Sequence, residues 1–332
     1  MNFSQGYVKW ARWLLFMAFM SITHHAGAYE MVTFLPQWVP HAQFAGYYMA
    51  YQKGIYERHG INVTILEGGP DKPPDQFLID RRADAVSLWL SQGIQMRERG
   101  IAVVNVAQIV QHSSLMLVSK KSGGVDKIQA LQDKRVSLWG GVFSIPVIAL
   151  FKRYGLSVQT FPQMFSVNLF LRGVVDVTSA MYYNEYHTLI MSGLDADELV
   201  VFPFRELGFD FPEEGIYVLE EEFKRRPDVW MAFADASMEG WIYAFDHPEE
   251  TIDVIMENLR RAHIPASRVH ERWMLDHMRE VILPFHSDGK MGLLKRQDYE
   301  AVAGTMKELG LIGSVPSYNE FYRGKKENGE SR

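Results

Sequence analysis

The sequence predicts a two-lobe α/β protein. Three observations carry that expectation: a complete strand-loop-helix-strand unit at residues 35–69, a recurrence of short apolar strands and helices through residue 204, and a polar, glycine-bearing break between two such series at Lys120-Lys121-Ser122-Gly123-Gly124. Each series reads as one open sheet covered by helices. With 47% hydrophobic and 13% aromatic residues over 332 positions, the chain can fill two packed cores.

The first residues read as an export signal. Lys9 and Arg12 precede an apolar run at residues 13–22. That run is shorter than the roughly 20 residues a membrane span needs, but long enough for a signal-peptide core. Ala26-Gly27-Ala28 is an A-x-A cleavage site. Residues 1–28 are therefore expected to be a signal peptide cleaved near Ala28, giving a periplasmic chain that starts at Tyr29. The chain has no cysteine, which excludes disulfides, thiolate metal sites, a thiol nucleophile and a lipidated-cysteine anchor. Loss of Lys9 and Arg12, with no acidic residue, moves the formal net charge from −6 to −8. This acidic balance argues against a nucleic-acid partner.

The elements follow in order. Residues 31–35 form an apolar strand that Pro36 and Pro40 cannot continue. Phe44, Tyr47, Tyr48 and Tyr51 then fall at i, i+3, i+4, i+7 on a helix that Gly54 ends, and residues 61–66 make a second, β-branched strand. Strands are expected at 85–88 and 103–110 with a helix at 92–99 between them, and another strand at 115–119. After the break come a helix at 125–131, a strand at 136–139, a helix at 145–154, a strand at 174–182, a helix at 185–191 and a strand at 200–204. Residues 215–219 read as a return strand, and residues 221–311 as mostly helical, packing back on the first lobe. The expected organisation is a first lobe of residues 29–119 and 215–320, a second lobe of residues 120–214, crossings near Lys120 and Glu214, and a polar tail at 321–332.

In open α/β sheets, ligands sit in the crevice outside the carboxyl ends of the strands. Four predicted strand ends carry a large aromatic: Trp38, Trp89, Trp139 and the pair Tyr182-Tyr183. Any one of these rings is ordinarily core filling. Four of them converging on crevice positions read as a binding wall. Polar groups accompany the rings: Gln37 and His41, Ser87 and Gln92, Ser144, then Asn184 and Glu185. Flat rings with a few amides and one carboxylate fit a planar, nitrogen-rich ligand, stacked on its faces and hydrogen-bonded at its edge. Tyr47 and Gln111 complete the candidate contacts. In the segment Gly140-Gly141-Val142-Phe143-Ser144-Ile145-Pro146, Ser144 is placed to cap a helix and Pro146 to occupy its first turn. That start is either a plain cap or a site for a phosphate, carboxylate or formyl oxygen.

Catalytic patterns are missing: there is no G-x-S-x-G elbow, phosphate-binding G-x-x-x-x-G-K-[ST] loop, G-x-G-x-x-G fingerprint or H-E-x-x-H pair. His270, His277 and Glu280 share a helix face, but the surrounding Glu271, Arg272, Asp276 and Arg279 make it read as a solvated or packing face and not a metal site. No cofactor and no metal are expected.

A family resemblance emerges from Trp38-x-Pro40-x-x-Gln43-Phe44-Ala45-Gly46-Tyr47-Tyr48, Lys53-Gly54-Ile55-Tyr56, Gly60-Ile61-Asn62-Val63, Gly68-Gly69, Arg82-Ala83-Asp84, Arg99-Gly100 and Tyr183-Asn184-Glu185. Together these resemble the thiamine-pyrimidine family, which joins periplasmic substrate-binding proteins of ABC importers to fungal pyrimidine synthases. The resemblance implies a type II periplasmic-binding-protein fold, two α/β lobes joined by a two-strand hinge, closing on a small heterocyclic ligand. It implies stacking by Trp38 and second-lobe contacts from Tyr183, Asn184 and Glu185. The implied partner is an inner-membrane ABC permease, or a membrane sensor protein if the role is signalling. The fungal enzymes carry a lysine that holds pyridoxal phosphate and, four residues on, a histidine; those places fall here on Leu88 and Gln92. Neither supplies a Schiff-base amine or an imidazole, so the resemblance points to a binder with no catalytic residue.

Overall fold

The computed structural model describes residues 29–283 and 291–326. The expected signal peptide and the last six residues of the expected tail lie outside the described residues. Two five-stranded mixed sheets form the frame. The first contains β1 (Glu30–Leu35), β2 (Ile61–Ile65), β3 (Ala85–Trp89), β4 (Val103–Gln108) and, much later in the chain, β10 (Glu214–Leu219), in the order β2-β1-β3-β10-β4. The second contains β5 (Leu115–Lys120), β6 (Arg135–Leu138), β7 (Gln159–Pro162), β8 (Val177–Met181) and β9 (Leu199–Pro203), in the order β7-β6-β8-β5-β9. The two-lobe α/β layout and the periplasmic-binding-protein fold expected from the sequence are both present.

The two sheets share one plan. β1 runs parallel to β2 and β3, and β6 runs parallel to β7 and β8. The antiparallel strand in each sheet is the one the chain enters after crossing: β5 against β8 and β9, β10 against β3 and β4. The parallel strands end at the crevice, so a chain arriving from the crevice side has to run the other way.

The first crossing is not at Lys120. Residues 115–120 are already paired within the second sheet, so the chain crosses at residues 109–114. The glycine-bearing break is a 3-10 turn, Lys121–Gly123, closed by Gly124 in the left-handed region at φ 68°. The return crossing runs through residues 208–213. The two crossings are bonded to each other: Glu213 N–H donates to Val110 O at 3.2 Å, and Val110 N–H to Glu214 O at 2.9 Å.

Other differences are local. Residues 125–131 hold only a 3-10 turn, Ile128–Leu131. β7 and the helix Pro74–Ile79 are additions to the sequence reading. The chain remains packed beyond residue 320: Phe321 and Tyr322 are buried, and Arg323 N–H donates to Asn105 O at 2.9 Å.

Late helices cover the first sheet. The helix Pro227–Asp246 lies against Ala45–Gln52, and the approach is close enough that both contact positions must be glycine. A Cβ on Gly46 would stand 2.2 Å from Trp241 Cγ, and one on Gly240 would stand 2.2 Å from Gly46 O. Phe34, Tyr47, Tyr56, Trp230, Phe233 and Trp241 fill the core behind. This packing fixes the loop after β1 at the crevice edge. Among the described residues, no helix is long and apolar enough to cross a membrane.

Candidate ligand-binding cleft

A cavity opens between the lobes. The first lobe contributes Gln37, Trp38, Gln43 and Trp89; the second contributes Trp139, Phe143, Met181, Tyr183, Asn184 and Glu185. Strand geometry explains the set. Trp89 and Met181 are the last residues of β3 and β8, and Trp139 directly follows β6. Past β8 the chain makes a single π-helical turn, Tyr182–Tyr186. Such turns are rare and concentrate at functional sites; this one brings the adjacent residues Tyr183, Asn184 and Glu185 all to the cavity.

The walls are aromatic. Trp89 and Phe143 meet edge to face at 4.8 Å between centroids, across the lobe boundary. Phe165 lies 5.3 Å from Trp38 and 5.9 Å from Trp139 at the mouth.

The polar edge is made of acceptors and amides. Gln37 N–H donates to Ser87 Oγ at 2.9 Å, and its Nε2 donates to Glu214 Oε2 at 3.4 Å. Gln37 Oε1 is buried and finds no partner among the described residues. Glu185 Oε2 accepts from the Met181 N–H at 2.8 Å, and its Oε1 from Asn184 Nδ2 at 3.2 Å. Burial raises the Glu185 carboxyl above the usual range, opposed by its hydrogen bonds. Among the described residues, no lysine or arginine lines the cavity. The site thus offers flat apolar faces and hydrogen-bond acceptors, with no countercharge for an anion.

Six of the ten sequence candidates line this cavity: Trp38, Trp89, Trp139, Tyr183, Asn184 and Glu185. Four stand elsewhere. His41 Nδ1 pairs with Glu271 Oε1 at 2.8 Å, beside the cavity. Tyr47 is fully buried behind Gln37, its hydroxyl donating to Glu214 Oε1 at 2.9 Å. Gln111 sits in the first crossing, where its N–H donates to Val281 O at 2.9 Å and its side-chain amide to Gln108 O. Ser144 has helical angles and caps nothing, since a 3-10 turn, Gly141–Ser144, already precedes the helix Ile145–Arg153; its hydroxyl donates back to Gly141 O at 2.8 Å. Gln43, Phe143 and Met181 were not singled out as contacts. Met181 could have been, as the residue before the Tyr182-Tyr183 strand end.

His270 and His277, both part-exposed, pack against the second lobe, one of the two readings the sequence left open: His270 Nε2 bonds Asn184 Oδ1 at 3.1 Å, and the His277 ring meets Tyr182 at 4.5 Å. Among the described residues, no group of three or more His, Asp or Glu side chains is placed to hold a metal ion.

Comparison with known proteins adds four likenesses. A family model described as NMT1/THI5 like matches residues 41–251. A 4-amino-5-hydroxymethyl-2-methylpyrimidine phosphate synthase of Saccharomyces cerevisiae is 25% identical over 135 residues, 40% of this chain; the match spans only 39% of the synthase's length. A formylaminopyrimidine-binding protein of Halalkalibacterium halodurans is 24% identical over 250 residues, 72% of this chain and 73% of that protein. Among solved structures, the periplasmic aliphatic sulphonate binding protein SsuA of Escherichia coli superposes with a TM-score of 0.68, at 13% identity over 91% of this chain and 95% of SsuA, a likeness of fold alone.

Proposed function

This chain belongs to the NMT1/THI5-like family, and we propose that it is the exported substrate-binding protein of an ABC importer, capturing a small planar nitrogen heterocycle of the thiamine-pyrimidine kind. The observation that carries this reading is the make-up of the cleft: tryptophans from both lobes, the Glu185 carboxylate and, among the described residues, an unpartnered buried acceptor at Gln37 Oε1 and no cationic side chain. A ring slotted between such walls gains about 1–3 kcal/mol per stacked face. A buried acceptor without a partner disfavours ligands that lack a donor, because a bound ring must satisfy it or leave it desolvated. An amino or ring N–H group does the former. A sulfonate or phosphate would bring negative charge to Glu185 with no lysine or arginine to offset it.

Binding proceeds in two steps in this account. The ligand first lands on the first-lobe face made by Trp38 and Trp89, and rotation about the two crossings then brings Trp139, Tyr183, Asn184 and Glu185 over its other face. Closure excludes water, which strengthens each hydrogen bond at the ring edge. The lobe organisation and the expected leader at residues 1–28 support export and handover to a membrane permease.

The family's synthases raise pyridoxal phosphate as a cofactor, and the residues present do not fit it. Leu88 is fully buried within β3 and carries no amine, and among the described residues no basic side chain lines the cavity to hold a phosphate. That cleft supports a binding role over the pyridoxal phosphate chemistry of the synthases.

The test is calorimetric titration of the mature chain with formylaminopyrimidine, hydroxymethylpyrimidine, riboflavin and an alkanesulfonate. Saturable one-site binding of an uncharged heterocycle, with no binding of the sulfonate, is the expected result. Sulfonate binding with no heterocycle binding would overturn it.

A further inference from the structure

The densest group of histidines in the described structure lies where the two lobes touch beside the cavity. The helix Arg268–Ile282 is anchored to the first lobe by Glu271, which is fully buried and accepts from His41 Nδ1 at 2.8 Å and from the Ala42 N–H at 2.9 Å. Its other face reaches the second lobe. His270 Nδ1 stands 2.8 Å from His187 Nδ1, His270 Nε2 stands 3.1 Å from Asn184 Oδ1, and Trp273 Nε1 donates to Tyr182 O at 3.1 Å. The His187 ring is stacked on Trp273 at 4.6 Å and lies within 9° of parallel to His270, ring centroids 5.1 Å apart.

The proton positions follow from the partners. With the Asn184 amide oriented so that Nδ2 donates to Glu185 Oε1, Oδ1 can only accept, so His270 Nε2 carries a proton. In neutral His270 the Nδ1 is then bare, and it accepts from His187 Nδ1–H. The chain runs one way: His187 to His270, His270 to Asn184, Asn184 to Glu185, with the last two lining the cavity. The pair tolerates one added proton, on His187 Nε2. A second, on His270 Nδ1, sets two donors against each other 2.8 Å apart, and the contact cannot survive it.

We infer that His187 and His270 are positioning residues for ligand recognition and form a proton-sensitive latch: they tie the lobes together, hold the Asn184 amide and Glu185 toward the ligand, and let go when both rings are charged. The inference rests on the binding-protein reading above and adds its regulation. The groups facing the pair are consistent with it. His41, Glu271 and His277 face it from the first lobe, with Glu280 farther along near Tyr182; Glu185, Tyr182 and Tyr186 face it from the second. Arg268 and Arg272 turn away to Glu249 and Asp253 on the helix Pro248–Arg261, and Arg279 turns to Phe245 O. Burial, then His277, hold His187 below the ordinary imidazole range. Burial, with His187 and His41, does the same for His270 against the opposing pull of Glu271. Because the latched state disfavours the charged rings, its contribution is fully present above about pH 6.5, the ordinary imidazole value, and is lost as pH falls. One proton taken up on release makes closure weaken by about tenfold per pH unit once below that value.

The test combines two readouts on the mature chain, wild type, His187→Phe and His270→Gln, between pH 7.5 and pH 5.0. His187→Phe keeps a ring on Trp273 and removes the titration; the two variants lie on opposite lobes, so a folding defect in one leaves the other informative. Calorimetry with formylaminopyrimidine should show wild-type affinity falling by about tenfold or more over this range, and both variants weaker at pH 7.5 but with a flattened pH profile. Small-angle scattering without ligand should show the wild type expanding at pH 5.0 and the variants already expanded at pH 7.5. Variants that keep the wild-type pH dependence, or a wild type unchanged in both readouts, would overturn the latch. If formylaminopyrimidine does not bind at any pH, that result counts against the ligand reading, and the scattering arm alone decides the latch.

Discussion

Trp38 and Trp139 meet across the cleft mouth with ring centroids 6.0 Å apart and planes at 88°, one following β1 and the other β6. The contact joins the two lobes through rings that also line the cavity. Closing the lobes therefore assembles the walls of the site, and a ligand held between them makes closure more favourable.

Trp38→Ala should weaken heterocycle binding by about 1–3 kcal/mol, the scale of one lost stacking contact. Trp38 is only half-buried, packed against the edge of the core and not within it, so the melting temperature should change little. Calorimetry and a thermal melt on the same sample check both halves. Unchanged affinity with a collapsed melting temperature would make Trp38 a structural residue.

Removing the acceptors should cost affinity for amino heterocycles. Glu185→Gln replaces an acceptor-only carboxylate with an amide, and Gln37→Met deletes the unpartnered Oε1. Each is expected to reduce affinity by about 1–3 kcal/mol, the range for hydrogen bonds that are lost or left unsatisfied. Titration with a matched pair of rings, with and without the exocyclic amine, should show the loss only for the amine-bearing ligand.

The neighbouring carboxyls at the return crossing give stability its own pH dependence. Glu213 Oε1 accepts from the Ser114 N–H at 2.6 Å and from Ser113 Oγ at 3.1 Å, while Glu214 is bonded by Tyr47 and Gln37. Burial pushes both up to about 8, against the pull of those donors. A raised folded value favours the protonated folded state. Their contribution is fully present below the unfolded value of about 4.3 and is lost as pH rises through about 8. Each carboxyl removes up to about 1.4 kcal/mol per pH unit within that window. Melting temperatures at pH 5, 7 and 9 should fall in the wild type relative to Glu213→Gln and Glu214→Gln, with the largest gap at pH 9. A gap that widens toward acid would contradict the assignment.

Pyridoxal phosphate should form no aldimine. Leu88 is buried in β3 and Gln92 is on the following helix, Leu90–Glu98, so neither supplies the amine or imidazole that such chemistry needs. Absorbance in the aldimine band and intact mass after incubation with pyridoxal phosphate and iron read this out. A specific adduct, or a loss of mass at a side chain, would revive the enzyme reading.

The strand ends were legible in the sequence because a strand's last residues and its crevice loop are adjacent, which is why Trp38, Trp89 and Trp139 could be picked out one by one. The first crossing was misplaced for a physical reason. Residues 109–114 contain no glycine or proline, and Ile109 and Val110 are buried, so the crossing reads as a longer strand, while the glycine-rich turn after β5 looks like a linker. β7 was missed because Gln159–Pro162 is a polar, mostly exposed edge strand with no apolar alternation to reveal it. The face of His270 read as either solvated or packing because Arg272 and Asp276 nearby are exposed. Its partner His187 is 83 residues away, a contact that no local pattern encodes. Tyr47 and Ser144 failed as candidates for the opposite reason: local pattern placed them on the right elements, but packing turned one into the core and the other back on its own turn.

The central claim is that the cleft holds an uncharged, planar nitrogen heterocycle. Its most direct test is mass spectrometry of the small molecules released on denaturing the protein purified from the cells that naturally make it. The account predicts one stoichiometric aromatic nitrogen compound bearing an amino or ring N–H donor and no phosphate or sulfonate. Recovery of a stoichiometric anion or aliphatic compound in its place would contradict it.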